Sequence, residues 1–268
     1  MNTRIITLLF ALTISNIQYA VASSALVEVD WSSLNVLIID INPLDNELPI
    51  FTWTNESSIT DNGAMSMYPL TYLSNYDSAD DWTTALGSTL STPNAQSSAI
   101  RDPNIVHSSS YVQNSGPGDY TDYNTASSYV YTAANFKLTG QGVAIISVNW
   151  NIDVAGTQND RQNYSSATIS LGASYENIAD NQYLGLTIKN FELTRESYSG
   201  GNYNFNNSFD FAVVNTKADS EVNGGFEATT RTFSRGPAYV PLPAAAWSFC
   251  LGLMCLLGIK KRSINVRA

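Results

Sequence analysis

Alternation of apolar and polar residues is the dominant pattern along the chain. Between Ile146 and Val154 every second residue is apolar, and the residues between them are Ser, Asn or Asp. A period of two residues is typical of a β-strand with one buried side and one side in water. The same pattern predicts further strands over 27–31, 167–175, 209–213 and 226–230.

Short glycine-containing segments separate these strands. Residues 139–142 (Thr-Gly-Gln-Gly) lie between two strand-like runs and predict a tight hairpin, and glycine pairs at 200–201 and 224–225 predict two more turns. Many strands with almost no helical periodicity predict an all-β fold, an antiparallel β-sandwich with a jelly-roll-like arrangement. A parallel α/β sheet is not favoured, because its buried strands are continuously apolar rather than alternating.

Two segments depart from the alternation. Leu34–Ile41 is almost continuously apolar, which predicts a central strand covered on both sides. Residues 55–125 are rich in Ser, Asn, Thr and Asp, so we expect a long polar loop region with one or two edge strands. Within it, the capping box Ser78–Asp81 followed by Trp82 predicts one short helix.

We expect one folded domain between the two chain ends. No internal repeat interrupts the sequence, so we predict a single β-sandwich over 23–236, with a boundary near residue 125 as the alternative. The domain contains no cysteine, and its core must hold it together without disulfides.

The first 22 residues have the features of a secretory signal peptide. They combine a positive residue, Arg4, with the apolar run Ile5–Ile14 and the small residues Ala20 and Ala22. Cleavage after Ala22 would make Ser23 the first residue of the mature protein. A buried N-terminal strand or helix is the alternative.

The last 29 residues, 240–268, form a second targeting element. A Val-Pro-Leu-Pro sequence precedes an apolar run over 244–259, whose 16 residues, or 20 counted from Val240, approach the ~20 that cross a bilayer. Basic residues in the tail 260–268 would stay in the cytoplasm and leave the domain outside; a helix of a globular core is the alternative. The residues that define the element are Val240, Pro241, Leu242, Pro243, Ala244, Lys260, Lys261 and Arg262.

This element resembles a PEP-CTERM sorting signal of the VPLPA subtype. The resemblance rests on Val-Pro-Leu-Pro-Ala-Ala-Ala-Trp at 240–247, followed by the apolar helix and the basic tail. It implies an exosortase-type membrane peptidase of a Gram-negative bacterium as partner, transient residence in the inner membrane and cleavage near Pro243. It also implies delivery to the envelope, the cell surface or exopolysaccharide. Cys250 and Cys255 depart from the aliphatic composition of many relatives.

Net charge excludes one class of partner. The chain has 13 Lys and Arg against 23 Asp and Glu, a net charge of −10. Removal of 1–22 and 244–268 would leave eight cations and all 23 carboxylates, a net charge of about −15. Nucleic-acid binding needs a basic surface, so we expect no nucleic-acid partner.

Side chains with catalytic chemistry are sparse, and we expect no enzyme. His107 is the only histidine, and we expect it to lie in a polar loop as a surface residue. Zinc needs three or four ligands, and the G-x-S-x-G sequence of many hydrolases is absent. A glycosidase needs only two carboxylates and stays open as an alternative. The candidate carboxylates are Glu176, Glu192, Glu196, Asp210 and Glu227.

Calcium is the one cofactor that the sequence leaves open. Two short segments concentrate oxygen ligands of the kind that calcium prefers, although neither follows the twelve-residue calcium-loop pattern. These residues are Asp77, Asp80 and Asp81 in one segment, and Asp40, Asn42, Asp45 and Glu47 in the other. We expect neither a metal site nor any other cofactor.

Tyrosines between residues 111 and 131 suggest a ligand. Flat aromatic faces stack on sugar rings, and neighbouring amides and carboxylates bind the hydroxyls. Tyrosine is also a common strand residue, which is the alternative. The candidates are Tyr111, Tyr120 and Tyr123, with Tyr129 and Tyr131 in the same cluster.

Two functions of different classes follow. The first is a non-catalytic, exported protein of the cell surface or exopolysaccharide matrix, sorted and cut by exosortase. The alternative is an exported carbohydrate-binding or carbohydrate-active β-sandwich. An ordinary single-pass anchored protein would have the same topology and keep its tail.

Overall fold

The described part of the chain forms twelve β-strands. The computed structural model describes residues 21–67, 69–114, 123–156, 164–179, 182–197, 202–218 and 220–237. The strands are β1 (Val21–Asp40), β2 (Ile50–Met67), β3 (Leu70–Ala79), β4 (Leu86–Ser91), β5 (Ala95–Arg101), β6 (Ile105–Asn114), β7 (Tyr123–Thr139), β8 (Gly142–Gly156), β9 (Tyr164–Ala179), β10 (Gln182–Ser197), β11 (Asn202–Asn215) and β12 (Glu221–Pro237).

The strands form two six-stranded sheets that pack face to face. Sheet A has the order β11-β8-β1-β6-β5-β4, and sheet B has the order β10-β9-β12-β7-β2-β3. Every neighbouring pair is antiparallel. The predicted antiparallel β-sandwich is therefore confirmed. Each sheet contains strands from before and after residue 125.

Alternation in the sequence becomes alternation in burial. In β8 every second residue from Gly142 to Gly156 is buried, and the predicted apolar faces of β1, β9, β11 and β12 also point into the core. Large aromatic side chains from both sheets meet there; Trp31 of β1 and Trp82 lie edge to face with ring centroids 4.9 Å apart. Each such pair adds about 0.5–1.5 kcal/mol beyond the burial of apolar area.

The long polar loop predicted over 55–125 is wrong in the described part of that region, which contains β2 to β6. Many of its inward-facing residues are small and polar, and several of them hydrogen-bond across the sandwich. The Ser108 hydroxyl bonds the Thr230 hydroxyl at 2.7 Å, and the Ser110 hydroxyl bonds that of Ser234 at 2.9 Å. These partners satisfy the two buried hydroxyls of β6, so a strand forms there without a continuous apolar face.

The short helix predicted after Ser78 is also wrong, since β3 continues to Ala79 and a turn follows. One carboxylate oxygen of Asp81 accepts hydrogen bonds from the backbone N–H groups of Thr83 at 2.6 Å and Thr84 at 2.5 Å. These bonds, with that of the Thr84 hydroxyl, lower the pKa of Asp81 from 3.8 to about 2. An aspartate whose carboxylate accepts hydrogen bonds from the next backbone N–H groups forms a turn, and this turn competes with a helix.

The predicted glycine turns are corrected as well. Residues 139–142 join β7 of sheet B to β8 of sheet A, so they form a crossover between sheets and not a hairpin. Gly224 and Gly225 lie inside β12, opposite Phe136 and Asn135 of β7. The pair at 200–201 lies outside the described residues.

Leu34–Ile41 is not covered on both sides. β1 pairs with β6 only as far as Asp30, and beyond a register shift it continues from Asn35 along β8 alone. In this second half of β1 the side chains of Leu37 and Ile39 are about half exposed, at 53% and 43%.

Candidate functional site

The candidate tyrosines lie on two opposite faces of the sandwich. Tyr123, Tyr129 and Tyr131 are at outward-facing positions of β7 in sheet B. Tyr111 is on β6, at an outward-facing position of sheet A. Tyr120 lies outside the described residues. The structure therefore divides the predicted cluster and leaves three of its tyrosines on one face.

On the outer face of sheet B, arginines of β12 cover tyrosine rings. The Arg231 guanidinium carbon lies 5.3 Å from the ring centroid of Tyr129. That of Arg235 lies 5.3 Å from the ring of Tyr123 and 5.7 Å from the ring of Tyr164. These contacts arise because β12 lies between β7 and β9, and a cation over an aromatic face is attracted to the ring electrons. We call these five residues the Arg–Tyr face.

The two arginines have no carboxylate partner within 4.0 Å in the described part of the chain. The Nε–H of Arg235 is buried and lacks a hydrogen-bond acceptor there. An open depression of about 400 Å³ lies beside Arg231 and Tyr129, with Asp61, Ser127 and Phe233 among its walls. In a protein with excess negative charge, this face therefore presents two cations to an external ligand.

Tyr131 extends the same row of rings along β7. Burial raises the pKa of the Tyr131 phenol, and the negative charge of Glu227 and the nearby Tyr129 act in the same direction. The phenol is therefore a neutral hydrogen-bond donor at neutral pH.

The sequence pattern alone does not indicate the arginines of this face. They are about 100 residues from the tyrosines, and only the register of β12 against β7 brings them together. The available signal was their spacing of four, which places Arg231 and Arg235 on the same side of a strand.

His107 does not lie in a polar loop. It is at an outward-facing position of β6, with Nδ1 3.0 Å from Oε1 of Glu28 and Nε2 3.1 Å from the Ser109 hydroxyl oxygen. The Asn151 side-chain amide donates a hydrogen bond of 3.1 Å to the other Glu28 oxygen. Sequence reasoning missed this group because its members come from β1, β6 and β8.

The candidate catalytic carboxylates are distributed over both faces. Asp210 is on the outer side of sheet A, where it accepts a hydrogen bond from Ser147, whereas Glu192, Glu196 and Glu227 belong to strands of sheet B. Glu196 accepts a hydrogen bond of 2.9 Å from the Tyr164 hydroxyl. Asp210 therefore lies on the opposite sheet from Glu192, Glu196 and Glu227.

The two acidic segments have local roles in turns. Asp81 holds the turn after β3, and the Asn42 backbone and side-chain N–H groups donate to Asp40 at 2.8 Å and to Asp45 at 3.1 Å. Among the described residues, no three His, Cys, Asp or Glu side chains group closely enough to hold a metal ion.

Comparison with known proteins does not identify a function for this chain. No protein-family model matches the chain, and no curated protein matches it. Among solved structures, the chain was aligned with the 7S globulin of Momordica charantia at 7% identity, over 80% of this chain and 68% of that one, with a TM-score of 0.10. At this identity and TM-score, the alignment indicates neither the fold nor the function of this chain.

The targeting residues lie largely outside the described part of the chain. This applies to Ala20 and to the whole of 240–268, whereas Ala22 and Ser23 are in β1. Ser23 is fully buried and lies between Val112 and Gly156 of the neighbouring strands. Within the described ranges, no helix is both long and apolar enough to span a membrane.

Proposed function

We propose that the chain is an exported β-sandwich protein of jelly-roll type that an exosortase-type peptidase sorts to the cell surface or extracellular matrix. The observation that carries the proposal is the Val-Pro-Leu-Pro sequence with its apolar run and basic tail. The place where the last described strand ends supports the proposal. β12 ends at Pro237, three residues before Val240, so a cut near Pro243 would leave all twelve described strands intact.

The expected N-terminal cut falls close to the start of β1. Cleavage after Ala22 would retain Ser23, the first buried side chain described in β1, and would remove Val21 and Ala22, which pair with the end of β6. The role needs no catalytic site, cofactor, metal or nucleic acid, because the exported domain would act through its surface.

We expect the protein recovered from its native host to begin at Ser23 and to end near Leu242 or Pro243. Intact mass and terminal peptides, measured separately in the membrane, surface and medium fractions, test this. Replacement of Pro241 and Pro243 by alanine should shift the protein to an unprocessed membrane form. Recovery of the wild-type chain with its basic tail 260–268 would make it an ordinary single-pass anchored protein.

A second candidate function, carbohydrate binding, is favoured by the Arg–Tyr face. A sugar ring can stack on a tyrosine while a guanidinium bonds a hydroxyl or carboxylate of the sugar. Arg231 and Arg235 are four residues apart, which is about 13 Å along a strand. This separation suits an extended polysaccharide with acidic groups better than a single sugar.

We expect Tyr129→Ala or Tyr123→Ala to weaken retention on a column of the host's exopolysaccharide about 5- to 10-fold, the equivalent of one aromatic contact of about 1–1.5 kcal/mol. Affinity chromatography in a salt gradient measures this. Tyr203→Ala is the matched control, because Tyr203 is 39% exposed on β11, the edge strand of the other sheet. Absence of wild-type retention, or an equal loss in Tyr203→Ala, would rule out this role for the face.

A further inference from the structure

The outer face of sheet A carries a carboxylate, an imidazole and a hydroxyl in series. Glu28, His107 and Ser109 are linked by contacts of 3.0 and 3.1 Å. We propose that Ser109 is a base-activated nucleophile that takes an acyl group from small esters, with His107 as its base. This activity is separate from the surface role above and does not depend on it.

The order of the contacts determines the direction in which a proton moves. A carboxylate only accepts hydrogen bonds, so Nδ1 of neutral His107 carries the proton toward Glu28. Nε2 then has a lone pair and accepts the hydrogen bond from the Ser109 hydroxyl. An acid that orients a histidine, which in turn removes a proton from serine, is the arrangement of nucleophilic hydrolases on unrelated folds.

The sheet holds these groups in place. Glu28 of β1 is directly opposite His107 of β6 on one side and Asn151 of β8 on the other. Asn151 donates to the second oxygen of Glu28 at 3.1 Å, so both carboxylate oxygens are engaged. The His107 and Glu28 side chains are 19% and 32% exposed, so they are partly shielded from water while a small molecule can reach them.

A cavity of about 300 Å³ adjoins Ser109, with Leu26, Ser98, Tyr111 and Asp153 among its walls. Its size and the Leu26 side chain favour a short acyl group. Ser98 lies directly opposite Ser109 across the β5–β6 pair, and its hydroxyl is 2.9 Å from that of Thr89. With Thr89 as the donor in that contact, the Ser98 O–H is left to donate to a substrate carbonyl oxygen.

Acyl transfer at this site would be followed by slow hydrolysis. β6 has a hydrogen-bonded neighbour on each side, β1 and β5, so its backbone N–H groups belong to the two ladders. No pair of them is available to stabilise an oxyanion, which is commonly the largest contribution to acyl-transfer catalysis. The lack of these donors slows acylation and hydrolysis alike, but an activated ester with a good leaving group, such as a nitrophenyl ester, acylates faster than the acyl-serine is hydrolysed. With such an ester we therefore expect the acyl-serine to accumulate.

Each bond change in the reaction is accounted for. The Ser109 O–H bond breaks as its proton moves to Nε2 of His107, and the oxygen forms a bond to the ester carbonyl carbon. The bond between that carbon and the alcohol oxygen then breaks, and the alcohol leaves with the proton from Nε2. Water later attacks the acyl-serine by the reverse proton path and releases the acid.

The test uses the full chain with a fluorophosphonate and with p-nitrophenyl acetate. We expect one phosphonyl group per chain, located on Ser109 by peptide mass spectrometry, and a burst of about one nitrophenolate per chain before slow turnover. Ser109→Ala should abolish both, and His107→Gln should slow labelling at least 10-fold. Ser147→Ala is the matched control, because the Ser147 hydroxyl also faces outward on sheet A and bonds a carboxylate, Asp210, at 2.7 Å without an imidazole.

The positioning role of Glu28 has its own readout. Glu28→Gln should slow labelling at least 10-fold, and Glu28→Asp should recover part of that rate, with unchanged thermal unfolding in both. Labelling spread over several serines, or an unchanged rate in His107→Gln, would overturn the proposal. If the variants fail to fold, labelling of Ser109 no faster than of Ser147 in the wild-type chain would also overturn it.

Discussion

Gly224→Ala should lower the free energy of unfolding by about 3 kcal/mol, at the upper end of the cost of overfilling a core. A Cβ at this position would lie 2.2 Å from Cζ of Phe136 and 2.4 Å from the backbone oxygen of Ser174. Gly224 has this role because the Phe136 ring, which is buried in the sandwich, packs directly over the β12 backbone. The Phe136 ring and the β9 backbone would both have to move.

Gly225→Ala is the matched control for the preceding prediction. Its Cβ would have ordinary contacts at 3.7 and 3.9 Å, and we expect the stability to stay the same or rise by about 0.5 kcal/mol. Thermal unfolding of the full chain measures both variants, with an expected decrease in Tm of about 6–12 °C for Gly224→Ala alone. Equal effects of the two substitutions would show that the close packing on Gly224 does not contribute to stability.

The strands that the sequence predicts are those in which burial requires large apolar residues. β8 is the clearest case, since Ile146 to Val154 alternate as the structure does. In β6 the inward-facing side includes Ser108 and Ser110, whose hydrogen-bond partners are Thr230 and Ser234, more than 120 residues away. Because burial of these serines depends on such distant partners, the local sequence of β6 gives no sign of it. The polar sequence therefore resembles that of a loop.

Connections between strands are ambiguous for a related reason. Gly140 has a positive φ of 77°, which glycine adopts readily in a hairpin or in any other sharp turn. The sequence at 139–142 therefore predicts a change of direction but not the sheet that the next strand joins. The hydrogen-bonded neighbours decide it: β7 lies between β12 and β2 in sheet B, and β8 lies between β11 and β1 in sheet A.

The candidate sites were predictable in part. The tyrosines of β7 were identified from their chemistry, whereas their partners Arg231 and Arg235 and the Glu28 partner of His107 depend on strand register. The residue type therefore indicates one partner of each contact, the tyrosine or the histidine. The other partner, an arginine or Glu28, is determined by the pairing of strands that are distant in the sequence.

Arg101→Ala should lower the free energy of unfolding by about 3–5 kcal/mol, which is typical of large-to-small substitutions of a fully buried side chain. Arg101 is completely buried, and its Nη2 donates a hydrogen bond of 2.7 Å to the backbone oxygen of Trp82. Its Nη1 donates to the Asp102 backbone oxygen, and its guanidinium carbon lies 5.3 Å from the Trp31 ring centroid. Alanine would leave a cavity and two carbonyl groups without these donors.

Arg101→Met separates packing from polar contacts. Methionine fills much of the same volume but donates no hydrogen bond, and it also removes a buried charge, whose desolvation lowers the pKa of Arg101. We therefore expect a loss of about 1–2 kcal/mol, clearly smaller than that of Arg101→Ala. Chemical denaturation of both variants beside the wild type measures the difference. Equal losses would contradict the packing argument, because the hydrogen bonds to Trp82 and Asp102 would then account for the whole contribution of Arg101.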